Sequence, residues 1–208
     1  MDADEYLRRF IDVEYHLPTP RYKEYCDYLA NKFEVASYLR FDGIKNDEIQ
    51  EIIANMAVQN GLSLRQLEKL YGHLYLICSS FSLKDHGQYV AFYLLLLKFK
   101  PTILSNIEHR NYSIMDLYTE LINIFPNSND DYNYFIGQII GLYGRYAHLI
   151  NTRKAPDTWI EQDEAMTDDA FQMLYSGMKL TAIDSVGFHP RLETVLSHIH
   201  LYSAITKN

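Results

Sequence analysis

One predicted helix, from about Gln88 to Lys98, constrains this chain more than any other segment because it is apolar on nearly every face. It contains the longest apolar run in the chain, from Tyr89 to Leu97. A helix of that kind is stable only when other helices enclose it. The run is also shorter than the roughly 20 apolar residues that a membrane span requires. We therefore expect a helical bundle built around this segment, without membrane contact by this chain.

Most of the remaining chain repeats apolar residues at three- and four-residue steps, which is the pattern of amphipathic helices. Gly137, Gly141 and Gly144 share one predicted helix at similar spacing, which indicates close packing against a neighbouring helix. The predicted helices cover Pro20 to about Leu39 after the cap Thr19, Asp47 to about Gln59 after the cap Asn46, a segment after Ser63, a segment from Pro101, Ile114–Ile124 after Ser113, Asp131–Ile150, Thr167–Ser176, and His189-Pro190 to about Ile205.

One short segment departs from the helical pattern. Residues Ile11 to Leu17 alternate apolar and polar side chains, which indicates a half-buried strand. No second strand pattern accompanies it, so its backbone groups need a partner elsewhere. We expect it to lie along the helices as an extended arm, or to pair with another copy or subunit. Such an unpaired strand also indicates that the chain was cut from a larger α/β unit. The predicted fold class is all-α, a multi-helix array with one N-terminal extended arm or orphan strand.

Composition argues against several classes of function. The net charge is −8 and Lys and Arg are scattered, whereas nucleic-acid binding needs clustered cations. Cys26 and Cys78 both lie in apolar helical patterns and fit reduced thiols in the core of a cytosolic protein. The sequence has no HExxH motif, Cys/His cluster or EF-hand loop, so we expect no metal site in this chain.

Two segments carry the clearest indication of function. Residues 6–20 read YLRRFIDVEYHLPTP, in which Arg8 and Arg9 precede the extended run and prolines precede a new helix. Residues 61–74 read GLSLRQLEKLYGHL, in which Ser63 caps a helix and Arg65 lies in its first turn. A GxxxxGK[ST] loop is absent from the sequence, so we expect no segment here to cradle the phosphates of a nucleotide, and no enzymatic activity.

Together these segments resemble the stretch that follows the catalytic core of the KAP family of P-loop NTPases. The similarity runs from Asp4 to about Tyr118 and includes YVAFYLLLLKFKPTILSNI, where a long apolar helix precedes one that begins with proline. In that family a last core strand leads into a helical lid, and a lid helix carries an arginine that senses nucleotide. The resemblance implies that residues 1–20 end a missing NTPase core, 21–126 form a lid-like region, and 127–208 form a C-terminal helical region.

The resemblance also implies roles for three arginines. Arg65 would sense bound nucleotide, since a guanidinium stays charged and binds phosphate with a planar fork. Arg8 and Arg9 would face phosphate or a neighbouring subunit. The residues alone favour a different interpretation, in which Arg65 is a surface cation paired with Glu68 and Arg8 and Arg9 are solvated cations at the end of a helix. The cofactors ATP and Mg²⁺ would belong to the parent protein, with none bound by this chain.

The function that follows is a regulatory helical region of a bacterial KAP-type ATPase, which couples nucleotide state to partner binding without catalysis of its own. Its partners would be the missing NTPase core or another protein, with homo-oligomers formed through the N-terminal arm. The expected location is the cytoplasm, at the membrane face through the parent protein. The alternative is a stand-alone all-helical protein-interaction module. A third hypothesis, an unrelated helical enzyme, would be favoured by a deep polar pocket.

Overall fold

The computed structural model describes residues 21–39, 46–80, 87–124, 130–150, 168–182 and 191–205. Within these ranges the chain forms nine helices and no strand, which confirms the all-α prediction. Arg8, Arg9 and the predicted strand at 11–17 lie outside the described residues. The helices are α1 (Tyr22–Lys32), α2 (Asn46–Gln59), α3 (Leu64–Ser80), α4 (Gly87–Phe99), α5 (Pro101–Glu108), α6 (Ile114–Ile124), α7 (Asp130–Tyr146), α8 (Asp168–Ala182) and α9 (Leu192–Ile205).

Helix α4 lies at the centre of the core, as its apolar composition predicts. Every residue from Gly87 to Leu96 is buried. Helices α2, α3, α5 and α9 all contact it, and Phe92 packs edge-on against Phe135 of α7 with ring centroids 5.7 Å apart. Burial of each large apolar side chain is worth about 1.5–3 kcal/mol. Helices that precede α4 in sequence and helices that follow it therefore pack around it in one continuous core.

Within the described part of the chain, no helix taken singly combines the length and the apolar content needed to span a membrane. Helices α4 and α5 meet both criteria only when they are counted together, and their axes bend by 119° at the break between them.

Local capping chemistry determines where α3 and α6 begin. At α3, the Gln66 N–H donates to Ser63 Oγ at 3.3 Å, and the Ser63 N–H donates to Gln66 Oε1 at 2.9 Å. At α6, the Asp116 N–H donates to Ser113 Oγ at 3.1 Å, and the Ser113 N–H donates to Asp116 Oδ2 at 3.3 Å. Each pair satisfies two backbone donors that the first helical turn leaves unpaired. Both caps were predicted, and α5 begins at Pro101 as predicted too.

The predicted end of α1 near Leu39 is wrong, because the helix ends at Lys32. Glu34 adopts a left-handed conformation with φ of 56°. The Val35 N–H then donates to the Ala30 carbonyl at 2.9 Å, which closes the helix in the way that a terminal glycine usually does. No glycine marks this stop, so the apolar repeat alone predicted a longer helix.

Helix α7 ends early for the same reason, at Tyr146 rather than at Ile150. His148 is left-handed with φ of 58°. The Leu149 N–H donates to the Gly144 carbonyl at 2.9 Å and terminates the helix. Here too a residue other than glycine carries the left-handed turn.

Helices α7 and α8 make the most extensive contact between elements in the described structure. A Cβ atom on Gly137 would overlap the carbonyl oxygen of Leu174, and one on Gly141 would overlap the backbone of Met178. Contacts advance along both helices in the same direction, so the two helices run parallel. The predicted packing against a neighbouring helix is confirmed for Gly137 and Gly141, whereas a Cβ atom on Gly144 would overlap the side chain of Ile150.

The predicted end of α8 at Ser176 is wrong, because the helix continues to Ala182. We expected Gly177 to begin a less regular segment, since glycine usually weakens a helix. A Cβ atom at Gly177 would overlap the carbonyl oxygen of Tyr134 in α7. The glycine therefore permits close helix contact from within α8 and does not end it.

Candidate functional site

Arg65 lies in the first turn of α3 with an exposed side chain, where the sequence places it. Glu68, the partner that the sequence offers for it, is bound instead by Lys32 of α1, with Nζ 2.5 Å from Oε1. A cation near a helix N-terminus opposes the helix dipole at a cost of about 0.3–1 kcal/mol. Arg65 therefore has no stabilising role in α3 that the described structure reveals.

Three further basic side chains continue the positive surface from Arg65. Lys69 and His73 follow it at four-residue steps along α3, so the three side chains share one face of that helix. Lys98 joins them from the last turn of α4. We call Arg65, Lys69, His73 and Lys98 the basic face.

Lys69, His73 and Lys98 are close enough for their charges to affect one another. Burial, together with the charges of Lys98 and Lys69, lowers the pKa of His73. Burial and the charge of Lys69 likewise lower the pKa of Lys98. No carboxylate from the described residues contributes to either shift. Lys69 and Lys98 therefore bring positive charge close to His73 at this surface.

The described ion pairs do not involve the arginine or the two lysines of the basic face. They join Arg21 to Glu24, Lys23 to Asp27, Lys32 to Glu68 and His200 to Glu108, and they do not include Arg65, Lys69 or Lys98. Like charges four residues apart on a helix destabilise it by about 0.2–0.5 kcal/mol. In a chain with net charge −8, a surface that accepts this cost is a candidate for binding anions.

The dimensions of the basic face suit a ligand with several anionic groups. At a rise of about 1.5 Å per residue, the backbone advances about 12 Å from Arg65 to His73. A guanidinium binds phosphate or carboxylate with two parallel hydrogen bonds, and ammonium groups act as point charges beside it. An anion at this face would also favour protonated His73, because it offsets the repulsion from Lys69 and Lys98.

An exposed apolar surface adjoins the basic face. Leu76 follows His73 by three residues on α3 and is 48% exposed, and Tyr75 beside it is 37% exposed. On α1, Tyr28 is 54% exposed and lies near Lys32, whose ammonium is 5.9 Å from the ring centroid. A partner protein with acidic and apolar side chains would complement this combined surface.

The described residues contain neither a cluster that would hold a metal ion nor an activated cysteine. No three side chains of His, Cys, Asp or Glu are grouped there in a way that would hold a metal ion. Cys26 and Cys78 are buried and unbridged, as predicted. Burial raises the pKa of Cys26 to about 11 and that of Cys78 to about 12, so both stay protonated at neutral pH. Neither thiol is activated as a nucleophile.

The sequence identified one member of the basic face and missed three. The four-residue spacing of Arg65, Lys69 and His73 is visible in the sequence, but the prediction of scattered cations does not take it into account. The addition of Lys98 depends on how α4 packs against α3, which no local pattern shows. Arg8 and Arg9 lie outside the described residues, so their relation to Arg65 stays a prediction.

Comparison with known proteins gives no assignment: no family model matches the chain, and no curated protein or solved structure is significantly similar to it. The resemblance to the KAP family therefore rests on the sequence segments around Arg8 and Arg65. The chemistry of the site rests on the basic face itself.

Proposed function

We propose that this chain is the helical, nucleotide-responsive region of a KAP-type P-loop ATPase, and that its basic face contacts the phosphates of ATP held by the ATPase core. One observation carries the proposal: Arg65, Lys69 and Lys98 lie on one surface, and none of the described ion pairs includes them. Because Arg65 contributes nothing evident to α3, a ligand outside the chain is the better account of its position.

In this proposal the chain supplies binding and orientation, and it contributes no catalytic group. The Arg65 guanidinium donates to phosphate oxygens, while Lys69 and Lys98 add positive charge beside it. Each charge-assisted hydrogen bond is worth about 1.5–3 kcal/mol. Losing one such bond when the terminal phosphate leaves would change the balance between closed and open states about tenfold or more. The helical region would thereby report the nucleotide state to a partner.

Neutralising the basic face should weaken anion binding without unfolding the chain. We expect Arg65→Gln and Lys69→Gln each to reduce the affinity of the purified chain for tripolyphosphate about tenfold, since each removes one charged contact. The melting temperature should stay within about 1–2 °C of the parent value, because removing a cation near the helix N-terminus costs α3 nothing. Isothermal titration calorimetry and thermal unfolding measure the two quantities.

Arg21→Gln is the matched control, since Arg21 is also exposed but pairs with Glu24 on α1. Equal losses of affinity in Arg21→Gln and Arg65→Gln would mean that only net charge matters and would contradict the proposed site. In a separate assay, the purified chain should leave added ATP intact. ATP hydrolysis that is abolished by a substitution within this chain would contradict the non-catalytic role. In-frame Walker A and Walker B motifs upstream of Met1 would test the KAP assignment separately.

Anion binding should raise the pKa of His73. In the free chain that pKa is lowered by burial and by the charges of Lys98 and Lys69, and a bound anion favours the protonated ring. Affinity for tripolyphosphate should therefore increase as the pH falls from the pKa of the complex to that of the free chain. NMR titration of the imidazole with and without tripolyphosphate measures the shift. An unchanged His73 pKa at saturating ligand would place the anion elsewhere.

The alternative, a stand-alone protein-interaction module, is favoured by the exposed Tyr75 and Leu76 beside the basic face. Under that alternative the same surface would bind a peptide with acidic and apolar side chains. Leu76→Glu distinguishes the two functions. It should abolish binding of such a peptide, because the apolar contact is lost. It should weaken tripolyphosphate binding only modestly, because it adds a single negative charge beside the basic face.

A further inference from the structure

The N-terminal segment joins the described structure beside the start of α3, close to the basic face. Arg21 is the first described residue, and α1 begins at the next one, Tyr22. The Tyr22 hydroxyl donates to the carbonyl oxygen of Leu62 at 2.5 Å. Leu62 precedes Arg65 by three residues. Residues 1–20 are therefore attached at the end of α3 where Arg65 lies.

Two further contacts hold α1 against α3 and fix this point of attachment. Lys32 Nζ lies 2.5 Å from Glu68 Oε1. Beyond them, a Cβ atom on Gly72 would lie 3.6 Å from Cε1 of Phe33. Contacts advance in the same direction along both helices, so α1 and α3 begin at the same end of the bundle.

The beginning of the N-terminal segment has the charge that the basic face lacks. Residues 1–5 read MDADE, with three carboxylates and no Lys or Arg, and we call them the acidic segment. Across from it, the side chains of Arg65, Lys69 and Lys98 are exposed and take part in none of the described ion pairs. Three negative charges can thus meet three positive charges on one chain.

The apolar side chains of the two surfaces are also arranged alike. Tyr6 and Leu7 follow the acidic segment directly in the sequence. On α3, the exposed Tyr75 and Leu76 follow the basic face. Residues 1–7 therefore have the acidic and apolar character that complements this combined surface.

The acidic segment can reach the whole basic face from its point of attachment. Sixteen peptide steps separate Glu5 from Arg21. A chain of that length spans up to about 50 Å, whereas the basic face extends about 12 Å along α3. A short tether gives an effective concentration in the millimolar range, so contacts too weak to hold a separate peptide are still populated.

We infer that the acidic segment occupies the basic face of its own chain when no phosphate is bound there, and that a polyphosphate displaces it. The inference rests on the anion-binding role proposed above for that face, and it adds the regulation of the site. Because segment and ligand compete, the apparent affinity for a polyphosphate falls by the fraction of molecules in which the face is uncovered.

Neutralising the acidic segment should strengthen binding of tripolyphosphate. We expect the full chain carrying Asp2→Asn, Asp4→Asn and Glu5→Gln to bind tripolyphosphate about fivefold more tightly than the parent chain, as it would if the segment covers the face in about four-fifths of the molecules. With Arg65→Gln added, this gain should shrink, since both changes act on one contact. Isothermal titration calorimetry at one ionic strength measures each affinity.

The matched control removes three negative charges elsewhere. Glu51→Gln, Asp169→Asn and Glu193→Gln change exposed side chains on α2, α8 and α9, and they alter the net charge by the same amount. We expect this control to change the affinity less than twofold, because distant exposed charges are screened by salt. Equal gains in the control and in the acidic-segment variant would overturn the inference.

A nitroxide attached at Ala3→Cys locates the segment directly. Cys26 and Cys78 are buried, so the introduced thiol is the one that the label reaches. Amide NMR signals of α3 from Arg65 to Leu76 should be broadened by the label. The broadening should weaken in Arg65→Gln and disappear at saturating tripolyphosphate. Unbroadened signals, or broadening that tripolyphosphate leaves unchanged, would overturn the inference.

Mixing labelled chains with isotope-enriched unlabelled chains identifies the occupant. Broadening of the unlabelled chains would show that the acidic segment of a second copy covers the face, and it would overturn the intramolecular assignment. If Arg65→Gln weakens tripolyphosphate binding while neutralising the acidic segment changes nothing, this inference fails and the proposed function stands. If no variant binds tripolyphosphate, the proposed function fails, and the nitroxide comparison still decides whether the segment docks.

Discussion

Replacing Gly137 with alanine should lower the free energy of unfolding by about 2–3 kcal/mol. The added Cβ would overlap the carbonyl oxygen of Leu174, which belongs to the backbone of α8 and cannot move aside as a flexible side chain would. The two helices would have to separate along their contact, and overpacking of this kind typically costs about 1–3 kcal/mol or more. Alanine's better helix propensity returns only about 1 kcal/mol. Chemical denaturation monitored by circular dichroism measures the change.

Gly72→Ala is the matched control within α3. A Cβ at Gly72 would lie 3.6 Å from Cε1 of Phe33, an ordinary van der Waals contact. The substitution should therefore stabilise the chain by up to about 1 kcal/mol through helix propensity alone. If Gly137→Ala gives the same gain as Gly72→Ala, α7 and α8 are not packed backbone to backbone in solution.

The parts of the fold that were predictable depend on local chemistry. Ser63 and Ser113 satisfy the first amides of their own helices, and Pro101 has the φ angle that a first helical turn requires. The burial of α4 was predictable because an apolar surface on every side leaves no face for water. Each of these features depends on residues that are close together in the sequence, so a local sequence pattern predicts it.

The incorrect helix ends have the opposite origin. Glu34 and His148 adopt left-handed conformations that cost about 1–2 kcal/mol for residues other than glycine. Packing around the turn must supply that energy, and packing involves residues distant in sequence. Gly177 illustrates the reverse case, since a residue that usually weakens a helix is retained because α7 approaches there.

The same distinction applies to the candidate sites. Arg65 could be singled out from its own segment, because the cap at Ser63 places it in the first turn of a helix. Lys98 belongs to a different helix, and its charge reaches His73 only through the packing of α4 on α3. Sites assembled from several helices require the fold before they can be recognised.

Tyr143→Phe should lower the free energy of unfolding by about 2–3 kcal/mol. The Tyr143 side chain is fully buried, and its hydroxyl joins α7 to the segment before α6. It donates to the Tyr112 carbonyl at 2.8 Å and accepts the Tyr112 N–H at 3.0 Å. Burial raises the pKa of Tyr143, so the proton that makes the first bond is retained at neutral pH. Phenylalanine would leave two backbone groups without these bonds, at about 1–3 kcal/mol for each group that stays buried.

Tyr93→Phe makes the same chemical change at a hydroxyl that forms no hydrogen bond with the described residues. Tyr93 is also fully buried, but its hydroxyl has no hydrogen-bond partner among the residues that the structure describes. Removing it eliminates an unpaired polar group from the core, so stability should stay the same or rise by about 1 kcal/mol. Urea denaturation of both variants compares them directly. A loss in Tyr93→Phe as large as that in Tyr143→Phe would show that the Tyr93 hydroxyl is paired in solution and that burial alone does not separate the two tyrosines.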